Sequence, residues 1–155
     1  MHLLWWLFGY RLVDLLERGE QLPMELQGQI IYYSGPTPPK PGMVIGSAGP
    51  TTSSRMDPYT PKLLENGLKG MIGKGSRGDE VISAIKKYKA AYFAATGGVA
   101  ALLSKTVKTC QVVAYEDLGT EAIHKLEVED FPAMVINDIE GNDLYRDGKE
   151  KYQVR

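Results

Sequence analysis

At 155 residues the chain has material for one domain around one buried core. Hydrophobic residues make up 43% and charged ones 24%, an ordinary globular balance, and a net charge of -1 leaves no field to gather nucleic acid or an anionic membrane. A lone cysteine, Cys110, excludes an internal disulfide and any cysteine-rich metal site within this chain, and favours a reducing, cytoplasmic setting.

The chain is read as a single domain over 1–155, with residues 1–10 as an atypical start. Its longest apolar run, LLWWLFG (Leu3–Gly9), falls far short of the roughly 20 residues needed to span a bilayer. The run also lacks the basic start and small-residue cleavage site of a signal peptide. Trp5 and Trp6 are expected to be exposed and to pack against another chain. RLVDLLER (11–18) then sets Leu12, Leu15 and Leu16 on one helical face, and Gly19 is a natural stop. QIIYYSG (29–35), rich in β-branched and aromatic residues, reads as a strand, and KPGMVIGS as a second short one.

A polar loop, GSAGPTTSSRMDPYTP, follows directly. Thr60-Pro61 fits an N-cap and first-turn proline opening PKLLENG. GMIG (70–73) reads as a short buried strand, followed by a glycine loop and a helix from near Asp79, with Val81, Ile82, Ile85, Tyr88, Tyr92 and Phe93 at helical spacing. ATGGVAALLS offers a break and another helical turn or two. CQVVAYED (110–117) and PAMVIND (132–138) are dense apolar runs of the kind found inside α/β sheets. IEGND turns into a last edge strand around Leu144 and Tyr145. Interspersed strands and helices make the class α/β with a mixed sheet.

GKGSRG places Gly73, Gly75 and Gly78 in a G-x-G-x-x-G pattern between a strand and a helix. As a dinucleotide fingerprint it lacks the acidic residue about 20 positions on, where ATGGVAAL stands. As a phosphate-binding Walker loop it fails because glycine follows Lys74. Free N–H groups at a helix start beside Lys74 and Arg77 still make an anion pocket. The hydroxyl loop adds Thr51, Thr52, Ser53 and Ser54 as donors and Arg55 as a fork for a carboxylate. Taken alone, such a loop is ordinary turn chemistry. Two anion-gripping loops one strand apart point to a small doubly negative ligand, and a dicarboxylate fits.

The remaining candidates read as structural. Cys110 lies in an apolar strand with no base nearby. His124 stands alone, KKYK (86–89) is the wet side of a helix, and Glu127, Glu129 and Asp130 face outward from an alternating strand.

With these residues in view, the chain resembles the β subunit, or C-terminal domain, of the class I iron–sulfur fumarases and L-tartrate dehydratases. LLERGEQLP, IIYYSGPTPPKPG, GSAGPTTSSRMDPYTP, MIGKGSRG, VVAYEDLGTEAIHKLEVEDFPA and DIEGNDLY carry the resemblance, in order, from about Arg11 to Tyr145. It implies a swivelling β/β/α domain paired with an α subunit whose three cysteines hold a [4Fe–4S] cluster, in keeping with the single cysteine here. The implied reaction is reversible hydration of fumarate to L-malate, or the counterpart from tartrate to oxaloacetate. By motif, Thr51 would be the base at the reacting carbon, with Thr52, Arg55 and Lys74 as its fellow substrate-binding residues. One departure stands out. The family's arginine-bearing RDAAH-like segment before the first helix is replaced by LLWWLFGYR, in which Arg11 falls too late. A nucleotide-binding module using GKGSRG, and a partner-binding chain without catalysis, are the competing readings.

Overall fold

The computed structural model describes residues 1–4 and 7–154. Trp5 and Trp6 lie outside the described residues. Strands β1 (His2–Leu4), β2 (Ile30–Tyr33), β3 (Gly70–Gly73) and β4 (Ala91–Ala94) run parallel and adjacent. Three antiparallel strands complete a seven-stranded mixed sheet. β5 (Val107–Ala114) and β6 (Ile123–Val128) extend it beyond β1, and β7 (Met134–Asn137) closes it beside β4, giving the order β5-β6-β1-β2-β3-β4-β7. Helices flank this sheet, as the α/β pattern requires.

Strand alternation divides the core between the two faces. Ile31, Tyr33, Met71 and Tyr92 point to one side. There they meet Leu12 of α1 (Leu7–Glu17), Leu63 and Leu64 of α2 (Thr60–Glu65), and Val81 and Ile85 of α3 (Asp79–Tyr88). Tyr32 and Ile72 point to the other, against Ile45 and Ala48 of the long loop and Leu103 of α4 (Ala100–Leu103). β3 is buried at all four positions, as expected for GMIG at the heart of a parallel sheet. α1 carries the predicted leucines, with Gly19 just past its end at φ 67°.

Several sequence expectations are corrected. KPGMVIGS forms no strand. Pro41 removes a ladder donor, Met43 and Val44 stay exposed, and the chain before the segment closes on its end through Thr37 N–H to Ser47 O (3.0 Å). Helix α3 stops at Tyr88, where Lys89 takes a left-handed conformation; Tyr92 and Phe93 then lie on opposite faces of β4. Thr60 is the first helical residue, not the N-cap, since Tyr59 caps α2. The two dense apolar strands lie at the sheet's edges rather than inside it, so Met134 of β7 is 61% exposed and Val113 of β5 is also exposed. Apolar density reports propensity and leaves position in the sheet undetermined. Leu144 and Tyr145 open a helix, α5 (Leu144–Tyr152), instead of an edge strand. The Asp143 carboxylate accepts from the Tyr145 and Arg146 N–H groups and nucleates that turn.

No helix among the described residues is long and apolar enough to cross a membrane.

Candidate active site

The hydroxyl loop is sewn to the carboxyl ends of two parallel strands. Thr51 N–H donates to Tyr33 O at the end of β2 (2.8 Å). Lys74 N–H donates to Thr51 O (3.1 Å), and Ser53 N–H to Lys74 O (2.9 Å). Thr52 and Lys74 thereby pair as a short parallel bridge. Open parallel sheets bind ligands at this end of their strands, where loops converge. From Ser53 the chain tightens into one 3-10 turn, Ser53–Met56, which buries Ser53 and Met56 and leaves Arg55 outside.

Thr51, Thr52 and Lys74 are thus brought together by backbone bonds, and Arg55 rides the turn that continues from them. Both threonines are half-buried, while Arg55 and Lys74 are exposed. Neither cation enters an ion pair among the described residues. The Lys74 stem passes near Gly97 in the turn after β4. Two glycines make this approach possible. A Cβ on Gly73 would lie 2.0 Å from Ser53 Oγ, and Gly75 holds φ 83° in the turn after Lys74.

Beneath the loops the expected anion pocket is already filled. Arg77, only 3% exposed, donates from Nε to Asp57 Oδ1 (2.7 Å) and from Nη2 to Thr60 Oγ1 (2.7 Å). Asp57 Oδ2 accepts the Gly78 N–H at the start of α3 (2.7 Å). The chain's own carboxylate therefore occupies the helix-start position that an incoming anion was expected to take, and Arg77 serves the interior. The guanidinium sits 5.6 Å from the Tyr33 ring centroid and 5.1 Å from that of Tyr92. Burial works against its charge, but Tyr33, Asp57 and Tyr92 around it outweigh that and raise its pKa. Burial likewise pushes the Tyr92 phenol up to about 12, so near neutral pH it is a hydroxyl. It donates to Gly75 O (2.8 Å) and shares a hydrogen bond with Ser53 Oγ (3.0 Å).

Asp57, Thr60 and Tyr92 were not singled out as site residues by sequence, where Thr60 and Tyr92 read only as helix positions. Asp57 lies 20 residues from Arg77, a separation that carries no local signal. The RMD triplet was visible, but only the fold shows that Arg55 and Asp57 point to different tasks.

Other sequence candidates stay structural. Cys110 is half-buried in β5, and burial raises its thiol pKa, which disfavours the thiolate. His124 is buried in β6, where burial lowers its pKa and keeps the ring neutral. Lys86, Lys87 and Lys89 are exposed, as are Glu127, Glu129 and Asp130. Arg11 rides α1 with its guanidinium 5.2 Å from the Tyr115 ring centroid.

A [4Fe–4S] cluster demands several thiolates. This chain has one cysteine, its thiol half-buried, and no group of three or more His, Cys, Asp or Glu side chains among the described residues is placed to hold a metal. The residues present do not fit such a cluster.

Residues 8–148 match the family model described as Fumarase C-terminus. The chain is 42% identical over 138 residues to "Fumarate hydratase class I, aerobic" of Salmonella typhimurium, covering 88% of this chain and 24% of that protein. It is 39% identical over 137 residues to "Fumarate hydratase 2" of Leishmania major, covering 87% of this chain and 24% of that protein. To "Putative L(+)-tartrate dehydratase subunit beta" of Methanocaldococcus jannaschii it is 35% identical over 147 residues, covering 91% of this chain and 75% of that subunit. The chain therefore spans about a quarter of the length of these fumarate hydratases and about three quarters of the tartrate dehydratase subunit. By the extent of the family match and the length shared with that subunit, the chain belongs to the Fumarase C-terminus family.

Proposed function

We propose that this chain is the β subunit of a two-chain hydro-lyase that reversibly hydrates fumarate to L-malate. It works with an α subunit that carries a [4Fe–4S] cluster, is inactive alone, and operates in the cytoplasm. The observation that carries this reading is the seam between the hydroxyl loop and Lys74. It brings two half-buried threonines beside one exposed lysine, with Arg55 on the next turn, at the carboxyl ends of parallel strands.

Two carboxylates on a small acid match the two cations. Arg55 offers a planar fork suited to bidentate contact, and Lys74 a compact point charge. Thr51 takes the proton from the reacting carbon in the dehydration direction and returns it in hydration. A threonine hydroxyl is ordinarily far too weak an acid to supply an alkoxide, so the cations that hold substrate also stabilise that anion. Thr52 donates a hydrogen bond to a substrate carboxylate. Because Arg77 is neutralised by Asp57, the field available to substrate from this part of the chain comes from Arg55 and Lys74.

A tartrate dehydratase is the second reading, favoured by the relative of comparable length named as a β subunit. Tartrate and fumarate present the same two charges, but tartrate has two hydroxyl-bearing carbons where fumarate has a double bond.

The test is anaerobic co-purification with the candidate α subunit, followed by assay of fumarate hydration and of tartrate dehydration. The complex is expected to turn over one of these acids while the isolated chain turns over neither. Thr51→Ala should lower turnover by about 10²–10⁴-fold, the range for loss of a positioned acid–base group, with the chain still folded. Undiminished turnover in Thr51→Ala would refute its role. A folded complex that processes neither acid would support the partner-binding alternative.

A further inference from the structure

We propose that Asp57 and Arg77 are positioning residues: their partly buried ion pair locks the hydroxyl loop to the lysine loop and so sets the spacing between Thr51, Arg55 and Lys74. The inference rests on the functional reading above and deepens it. Asp57 stands two residues beyond Arg55, and Arg77 three beyond Lys74. A bond between the inner pair therefore fixes the relative placement of the outer pair.

Three of the polar contacts in this cluster join the segment 57–60 directly to Arg77 and Gly78, and Tyr92 of β4 links Ser53 to Gly75. Asp57 receives Arg77 Nε and the Gly78 N–H; Thr60 receives Arg77 Nη2 while donating to Met56 O (2.8 Å). Ser53 meets the Tyr92 hydroxyl, which in turn donates to Gly75 O. Tyr33 and Tyr92 place their rings against the guanidinium. The planar fork thus has two oxygen partners in fixed directions, which an ammonium on a flexible stem does not reproduce.

Fold stability alone does not account for such a device. Helices α2 and α3 already share an apolar contact through Leu63, Leu64, Val81 and Ile85. Buried ion pairs contribute little net stability compared with apolar replacements of the same shape. What the pair adds is local and geometric. Displacements of about 1 Å in groups that hold substrate can cost on the order of 100-fold in rate.

The experiment uses the chain in its complex with the α subunit and compares Asp57→Asn, Arg77→Lys and Leu126→Ala. Leu126 belongs to the core cluster on the far face of the sheet and serves as a destabilised control. Asp57→Asn and Arg77→Lys are expected to lower kcat/KM by about 10–100-fold at temperatures well below unfolding, with a raised KM. Hydrogen exchange at the Ser53 and Lys74 amides, which bridge the loops, should quicken in both variants while the Met71 amide inside β3 stays protected. Leu126→Ala should lower the thermal midpoint and leave kcat/KM unchanged. If both pair variants behave like Leu126→Ala, with the loop amides still protected, the positioning role is overturned. Should Arg77→Lys fail to fold, Asp57→Asn decides, because it keeps the shape of Asp57 and one acceptor oxygen. Full turnover in Thr51→Ala alongside quickened loop exchange would instead overturn the functional reading and leave the lock standing.

Discussion

Two arginines on adjoining loops have opposite fates. Arg77 is sealed under the loops with a carboxylate, a hydroxyl and two aromatic rings around it; Arg55 stands on the surface of a single 3-10 turn with no ion-pair partner among the described residues. The floor is internally neutral and hydrogen-bonded, whereas the rim is charged and unspent. That division suits the dicarboxylate site proposed above, because a cation kept for substrate must not be claimed by the protein, while the backbone beneath it must not move.

Changing one arginine at a time sharpens the contrast most. Arg77→Leu leaves Asp57 half-sheltered without its partner and should cost about 3–5 kcal/mol in chemical denaturation, the usual penalty for breaking a buried pair. Arg55→Leu should stay within about 0.5 kcal/mol of the parent, as exposed substitutions do. Equal losses from the two would erase the distinction between floor and rim.

Gly73→Ala comes next. Its methyl group would meet Ser53 Oγ and press toward the Tyr33 ring, with an expected cost of about 1–3 kcal/mol from overpacking. Adding Ser53→Ala removes the closest atom and should restore part of the lost stability; no recovery would mean that another contact sets the limit. Tyr92→Phe removes the hydroxyl linking Ser53 to Gly75 and should cost about 1 kcal/mol, measured as a shift of the urea midpoint.

A further effect concerns pH. Burial lowers the pKa of His124, and burial, the Met1 amine and Lys125 together lower that of His2 to about 4. A histidine with a depressed folded pKa takes up its proton more readily when unfolded, so stability is retained above about 6.5 and declines toward pH 4. The thermal midpoint should fall between pH 7 and pH 5, and His124→Phe should flatten part of that slope. A midpoint that rises on acidification would contradict the assignment.

Much of the fold could be read from residue pattern because it is set locally. β2, β3, the leucine face of α1 and the start of α3 follow from periodicity and glycine placement. The rim stands differently: hydroxyls, an arginine and a lysine cluster visibly in breaker-rich segments, but that pattern alone is also ordinary turn chemistry, and the roles proposed for Thr51, Thr52, Arg55 and Lys74 rest on the family resemblance. The floor was not legible. Arg77 looks in sequence like a second anion ligand beside Lys74, and only the fold reveals Asp57 already bound there. Sheet position was likewise hidden, since β5 and β7 have the composition of inner strands but lie at edges. The helix α5 escaped because its signal is a single capping carboxylate, Asp143, in a segment with little apolar periodicity.

The central claim is that the rim receives a dicarboxylate while the floor merely supports it. The most direct test is Arg55→Ala in the complex with the α subunit, assayed for fumarate hydration beside its thermal midpoint. The account predicts a loss of about 100-fold or more in kcat/KM, as for removal of a charge-stabilising group, with the midpoint unchanged. Retained kcat/KM at an unchanged midpoint would contradict it.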